Sequence, residues 1–327
     1  MRTTLKVFGS VFVVLIAAAA VAFWWFVLPA FIDEPKLAGA LHERTLEWQG
    51  APRRYLIYVP SRIAAPPAVV FVLHGSGSSA AQMRAVTAYG FDNIGEREGV
   101  VIIYPDGYEK HWNDCRRAGP YAANLENVDD VGFLKAVAAH AGNDLGISWQ
   151  HVFATGLSNG GHMALRLALE VPAWVTAVAP IAANMPADDN FDCAKSGAPT
   201  GFLLMNGTED PMNPYDGGEV ALYGLFAPRG RVQSSQQTVE YFAELAGYEG
   251  QPVSELYDSD PADGTRVELQ LWQATDQPPV GMAKVIGGGH TVPHPENRLP
   301  RFLGRTSHDL EASELIWRFF GTAAASR

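Results

Sequence analysis

A chain of 327 residues with 47% hydrophobic and 18% charged side chains can bury a large core, and its length suits one large α/β domain or two smaller ones. Its formal net charge of −11 opposes phosphate backbones and excludes nucleic acid as a natural partner. The two cysteines, Cys115 and Cys193, lack zinc-ligand spacing, and neither Gly-x-x-x-x-Gly-Lys nor a strand-borne Gly-x-Gly-x-x-Gly occurs, so no metal and no nucleotide cofactor is expected.

Val7 to Ile32 carries no charged side chain; Arg2 and Lys6 precede it, and Asp33, Glu34 and Lys36 follow. Its strictly apolar part, Val11 to Leu28, would span about 27 Å as a helix, close to a hydrocarbon core of roughly 30 Å. Positive charge on the short N-terminal side predicts a cytoplasmic N-terminus, and Trp24 and Trp25 suit the far headgroup region. The competing reading is a signal peptide cleaved near Ala17 to Ala22, although signal h-regions usually hold only about 7–15 residues. Either way the rest of the chain is exported, anchored on the non-cytoplasmic side or released. The expected division is residues 1–36 as anchor or signal and residues 37–327 as one catalytic domain.

Arg44 to Trp48 and Arg53 to Val59 predict an antiparallel hairpin around Gln49-Gly50-Ala51-Pro52. Ala68 to Leu73 is continuously apolar, as a strand covered on both faces must be. His74-Gly75-Ser76 follows, then a helix from about Ala80 to Arg97 and a buried strand over Val100 to Tyr104. Gly107 to Glu126 is a polar insert holding Trp112 and Cys115. The apolar positions of Val128 to Leu145 recur with helical period, and Asn127 or Asp129 can cap that helix. Further strands are expected over Val152 to Thr155, Val175 to Ala179, Phe202 to Met205, Val267 to Trp272 and Ala283 to Ile286. Helices are expected over Gly161 to Glu170, Ser234 to Ala246 and His308 to Phe320. This alternation predicts an α/β fold, a mostly parallel sheet with helices on both faces and its site at the carboxyl ends of the strands.

Those ends carry the chemistry. Gly156-Leu157-Ser158-Asn159-Gly160 lies between a strand and a helix, where a Gly-x-Ser-x-Gly turn holds its serine in a strained, exposed position. The next strand ends carry Glu209-Asp210 and His290, so serine, acid and histidine follow in the α/β-hydrolase order. A serine hydroxyl needs a base, and an imidazole serves when a carboxylate fixes its tautomer. Glu209 or Asp210 can be that carboxylate. His74, His162 and His294 rival His290 as base. Trp112 is either a buried aromatic or a substrate wall.

Taken together, Leu73-His74-Gly75, Tyr104-Pro105-Asp106-Gly107 with Trp112, Asp129 to Phe133, Gly156 to Gly161, Gly207 to Pro211 with Pro214-Tyr215, and Gly288 to Thr291 resemble the polyhydroxybutyrate depolymerase and feruloyl/acetyl-xylan esterase group of secreted α/β-hydrolases. The resemblance implies Ser158 as nucleophile, Asp210 as acid and His290 as base, with the amides of Ser76 and Asn159 as oxyanion hole. It implies no cofactor. The chain departs from the group at Ser76, where cysteine is frequent, and at Val292, where tryptophan is frequent, so Val292 should widen the acyl pocket. The expected substrates are short-chain, hydroxyalkanoate or aromatic esters, small or polymeric. Arg116 and Arg117, near Trp112, are expected at the rim. The alternatives are a prolyl-oligopeptidase-type peptidase and a non-catalytic anchored binding domain. Export also allows Cys115 and Cys193 to form a disulfide.

Overall fold

The structure, a computed structural model, describes residues 16–326. Residues 16–27 form the described part of helix α1. Among the described residues no helix is long and apolar enough to cross a membrane, and the start of the uncharged run lies outside them.

Strands β1 (Ala40–Trp48), β2 (Ala51–Val59) and β3 (Ala68–Leu73) lead to helices α2 (Ala80–Val86) and α3 (Gly90–Glu98). Then come β4 (Val101–Pro105), α4 (Ala122–Leu125), α5 (Asp130–Leu145), β5 (His151–Leu157), α6 (Asn159–Glu170), β6 (Ala177–Ile181) and β7 (Gly201–Gly207). A small ribbon of β8 (Gly218–Glu219) and β9 (Arg231–Val232) precedes α7 (Ser235–Leu245), β10 (Val253–Tyr257), β11 (Arg266–Ala274), β12 (Gln277–Ile286) and α8 (Ala312–Ala325).

Ten strands form one sheet in the order β1-β2-β4-β3-β5-β6-β7-β12-β11-β10. The six from β4 to β12 run parallel. The flanking strands are antiparallel to their neighbours. Because successive strand residues face opposite ways, β3 feeds two cores. Val69, Phe71 and Leu73 pack with Phe133 and Val137 of α5, Met163 of α6 and Phe242 of α7. Ala68, Val70 and Val72 pack with Met83 of α2, Phe91 and Ile94 of α3, and Ile316 and Phe320 of α8. The chain is thus an α/β-hydrolase fold with helices on both faces.

Two expectations change, and one strand is new. The helix expected over Ala80 to Arg97 is two helices, broken where Ala88 and Tyr89 take left-handed φ values of 53° and 54°. The break lets α3 dock on α8, where a Cβ at Gly90 would lie 2.1 Å from Ser313 Oγ. The closing helix starts at Ala312, not His308. The edge strand β10 did not register as a strand in the sequence, since it is exposed almost throughout and shows no buried alternation.

Candidate active site

The elbow comes first. Ser158 joins β5 to α6 at φ 57° and ψ −116°, a conformation costly for any residue with a Cβ. Its amide donates to Ile181 O at 2.8 Å, which ties the turn to the end of β6. The flanking glycines are demanded by space. A Cβ at Gly160 would lie 2.3 Å from Leu73 O, and one at Gly156 would lie 2.6 Å from the Gly160 carbonyl. The chain therefore crosses the end of β3 in contact with it.

Two and three strands further across the sheet, β7 and β12 present their own loops. His290 Nδ1 lies 2.7 Å from Asp210 Oδ2, and both side chains are almost wholly buried. The other carboxylate oxygen, Oδ1, accepts the amides of Met212 at 2.7 Å and Asn213 at 2.8 Å. An ionised carboxylate only accepts, so Nδ1 carries the proton and Nε2 keeps its lone pair. Glu209 turns outward and pairs with Arg305 at 2.7 Å. Of the two acids left open by the sequence, the structure brings Asp210 to His290. The His290 loop is clamped from outside by His290 N–H donating to Leu303 O and by Gly289 N–H donating to Arg305 O. Ser158 Oγ and His290 Nε2 take no protein hydrogen bond among the described residues.

The loop after β3 is preset. Gly107 N–H donates to His74 Nε2 at 2.9 Å, which places the His74 proton on Nδ1. That nitrogen lies 2.8 Å from Gly75 O and donates to it. In a trans peptide the carbonyl and the next N–H point opposite ways, so holding Gly75 O directs the Ser76 amide away from His74. A Cβ at Gly75 would lie 3.6 Å from Ser158 Cβ, so this peptide borders the elbow serine. Asn159 is the first residue of α6, and its amide has no intrahelical acceptor. Burial holds the His74 imidazole below its ordinary pKa, in keeping with a neutral structural role.

The other rival histidines are engaged elsewhere. His294 Nδ1 accepts the amides of Glu296 and Asn297 and shapes a turn. His162 is fully buried on α6 with Nδ1 2.9 Å from Ser158 O. Burial above all, then the charge of Arg116, pushes its pKa down to about 3, and His290 lies near enough to add to the effect.

Both residues expected to line a substrate pocket are buried instead. Trp112 has no exposed surface; its indole donates to His74 O at 2.9 Å, so it braces the loop after β3. Val292 is 3% exposed and packs into the core facing α8. Arg116 is not at a rim either. It is buried against Asp114 at 2.5 Å. Asn159 Nδ2 donates to that same carboxylate at 2.6 Å and to Trp112 O at 3.0 Å, while Trp112 N–H donates to Asn159 Oδ1. Exposed Arg117 donates to Phe191 O. The side chain of Asn159 thereby holds the insert on the elbow, a role sequence spacing does not signal. Cys115 and Cys193 form a disulfide with Cα atoms 5.1 Å apart, which closes the insert onto the loop before β7.

No family model matches the chain. A Nocardia uniformis subsp. tsuyamanensis protein named as an esterase, NocK, is 30% identical over 255 residues, which cover 75% of this chain and 72% of that protein. The chain belongs to this esterase family. Feruloyl esterase D of Neurospora crassa is 27% identical over 177 residues, so the esterase described here spans 56% of that relative. The structure of an acetyl xylan esterase from Aspergillus awamori covers 87% of the chain with all of its own at a TM-score of 0.57 and 16% identity, which shows a shared fold. The esterase is a carboxylic ester hydrolase. The carboxyl ends of its parallel strands hold the strained serine against the loop after β3 and, across the sheet, the buried carboxylate–imidazole pair.

Proposed function

We propose that the esterase works through a covalent acyl-enzyme on Ser158. The bond between His290 Nδ1 and the buried Asp210 is the observation that carries this reading, because it leaves Nε2 as the base and stabilises the imidazolium that forms. Ser158 Oγ attacks the ester carbonyl and passes its proton to Nε2. The oxyanion is held by the amides of Ser76 and Asn159. Collapse expels the alcohol, which takes the proton from His290. Water then attacks the acyl group, again deprotonated by His290, and the carboxylic acid leaves as Ser158 is restored.

The substrates proposed are short-chain, hydroxyalkanoate or aromatic feruloyl-type esters, including polymeric ones as in polyhydroxybutyrate depolymerases. Relatives named feruloyl and acetylxylan esterases support that class. Export is supported by the disulfide, which persists in oxidising compartments. Residues 1–36 then serve as anchor or signal, and residues 37–327 as the catalytic domain. Ser158→Ala should lower turnover of a nitrophenyl ester by about 10³-fold or more with an unchanged circular dichroism spectrum. A fluorophosphonate should label the wild type and not this variant. Near-normal turnover in Ser158→Ala would reject the acyl-enzyme, and a wild type that takes no label would point to a binding domain.

A further inference from the structure

Two exposed apolar surfaces border the loops that carry Asp210 and His290. The first is the tip Leu222 to Phe226, where Tyr223 is 54%, Leu225 76% and Phe226 63% exposed. It hangs on the Asp210 segment: Tyr223 N–H donates to Pro211 O at 2.6 Å, and Ala221 N–H to Met212 O at 3.2 Å. The second is the aromatic end of α1, Phe23-Trp24-Trp25-Phe26, exposed throughout. The chain beyond it pairs with the segment that clamps His290, since Ala30 and Arg298 exchange both backbone hydrogen bonds at 2.8 and 2.7 Å. Tyr223 Oη donates to Phe302 O at 2.6 Å and joins the two surfaces into one rim.

Three arginines, Arg298, Arg301 and Arg305, stand along this rim beside the carboxylates of Glu209 and Asp263. Arg298 and Arg301 form no ion pair among the described residues, although neighbouring Arg305 pairs with Glu209. Their guanidiniums reach the carbonyls of Leu28, Leu299 and Trp25 instead, and Arg301 lies 4.0 Å over the Trp25 ring. Each guanidinium has five N–H groups, so donors remain for an anion. Aromatic rings with cations beside them match the headgroup layer of a bilayer, and each such cation near an anionic leaflet is worth about 1 kcal/mol. In the sequence the uncharged run to which these aromatics belong begins at Val7, before the described residues.

We propose that this rim docks on an anionic lipid bilayer and holds the Asp210–His290 edge of the sheet against it. The inference rests on the membrane association proposed for the N-terminal segment and adds an orientation, which places the site where esters at or in the bilayer surface reach it. An N-terminal tether alone leaves the domain free to tumble; the Leu222–Phe226 tip would then stay in water.

Position-specific labelling separates these cases. Both cysteines are bonded, so Leu225→Cys and Val253→Cys each give the full-length protein one thiol for an environment-sensitive fluorophore. Val253 is 78% exposed on β10, the outermost strand. With phosphatidylcholine vesicles containing phosphatidylglycerol, the label at 225 should shift to the blue and be quenched by a nitroxide lipid, while the label at 253 should not. Arg298→Gln with Arg301→Gln should weaken binding to these vesicles about 30-fold, roughly 2 kcal/mol for two cations, and leave binding to neutral vesicles unchanged. Turnover of a soluble nitrophenyl ester checks that each variant is folded. A silent label at 225 on a protein that still sediments with vesicles overturns the orientation and keeps the membrane association. A protein that sediments with neither vesicle overturns both. A dimer in solution that Phe226→Ser dissociates, without vesicle binding, would assign the rim to a second copy and overturn the proposal.

Discussion

Glu209 and Asp210 are adjacent in the chain yet differ completely in setting. Both follow β7, and nothing in their spacing distinguishes them; the choice is made by Arg305 in solvent and by the Met212 and Asn213 amides inside. Asp210→Asn should therefore cut kcat by about 10⁴-fold, since an amide favours the wrong imidazole tautomer. Glu209→Gln should change it by less than about threefold, as a surface ion pair is worth little. Steady-state kinetics on both variants would expose an exchange of roles as a reversal of these losses. His162 gives a second test, in stability. Burial holds its folded pKa at about 3, below the ordinary histidine value of about 6.5. The unfolded chain thus binds the extra proton between those limits, and stability falls as pH drops through them, by about 1.4 kcal/mol per unit. His74, also depressed, acts in the same direction. Urea unfolding from pH 7 to pH 4 should show a shallower decline in His162→Met than in the wild type. Equal slopes would mean that His162 is already charged in the folded protein.

Among the elements, the elbow was the most legible because its constraint is local. Gly156 and Gly160 had to be glycine wherever the turn crossed β3, and a five-residue pattern records that. Gly160→Ala should destabilise the fold by about 1–3 kcal/mol, because its Cβ meets the backbone oxygen of Leu73 and no side chain there can yield. The same push moves the loop holding Ser76, so kcat should fall even in the fraction that stays folded. Chemical denaturation and single-turnover acylation would measure the two effects apart, and wild-type values in both would show that β3 can shift freely. The central strands were equally plain, as continuous apolar runs covered on both faces. What escaped was set by tertiary contact. The break at Ala88-Tyr89 follows from the docking of α3 on α8, and β10 at the exposed edge carries little hydrophobic signal. The burial of Trp112 and Val292 was equally hidden, since an aromatic or a valine near a site is compatible with either surroundings.

At the scale of the whole molecule, the insert between β4 and α5 is held on the carboxyl edge of the sheet by contacts distant in sequence. Arg53 donates to Asp130 at 2.8 Å beneath it, and Asp130 also accepts the amide of Asn113 at 2.7 Å. Asn159 fastens it to the elbow, and the disulfide fastens it to the loop before β7. The sequence offered the cysteines but not their separation, because the path of a polar insert has no periodicity to read. The disulfide closes a loop with a sequence separation of 78, for which the chain-entropy model gives about 4.5 kcal/mol of stabilisation. Cys115→Ala with Cys193→Ala should lose roughly that amount in urea unfolding at fixed pH. Catalysis should suffer less than stability, because Trp112 and Asn159 keep the insert against the loop after β3 through their own hydrogen bonds. In the double variant kcat should fall by less than about tenfold under conditions where it remains folded, and KM should move with it if the insert shifts at the site. A loss of activity as large as that of Asp210→Asn would show that the disulfide, not the Asn159 network, positions the insert. An unchanged unfolding midpoint would show that the bond constrains no more than the folded contacts already do.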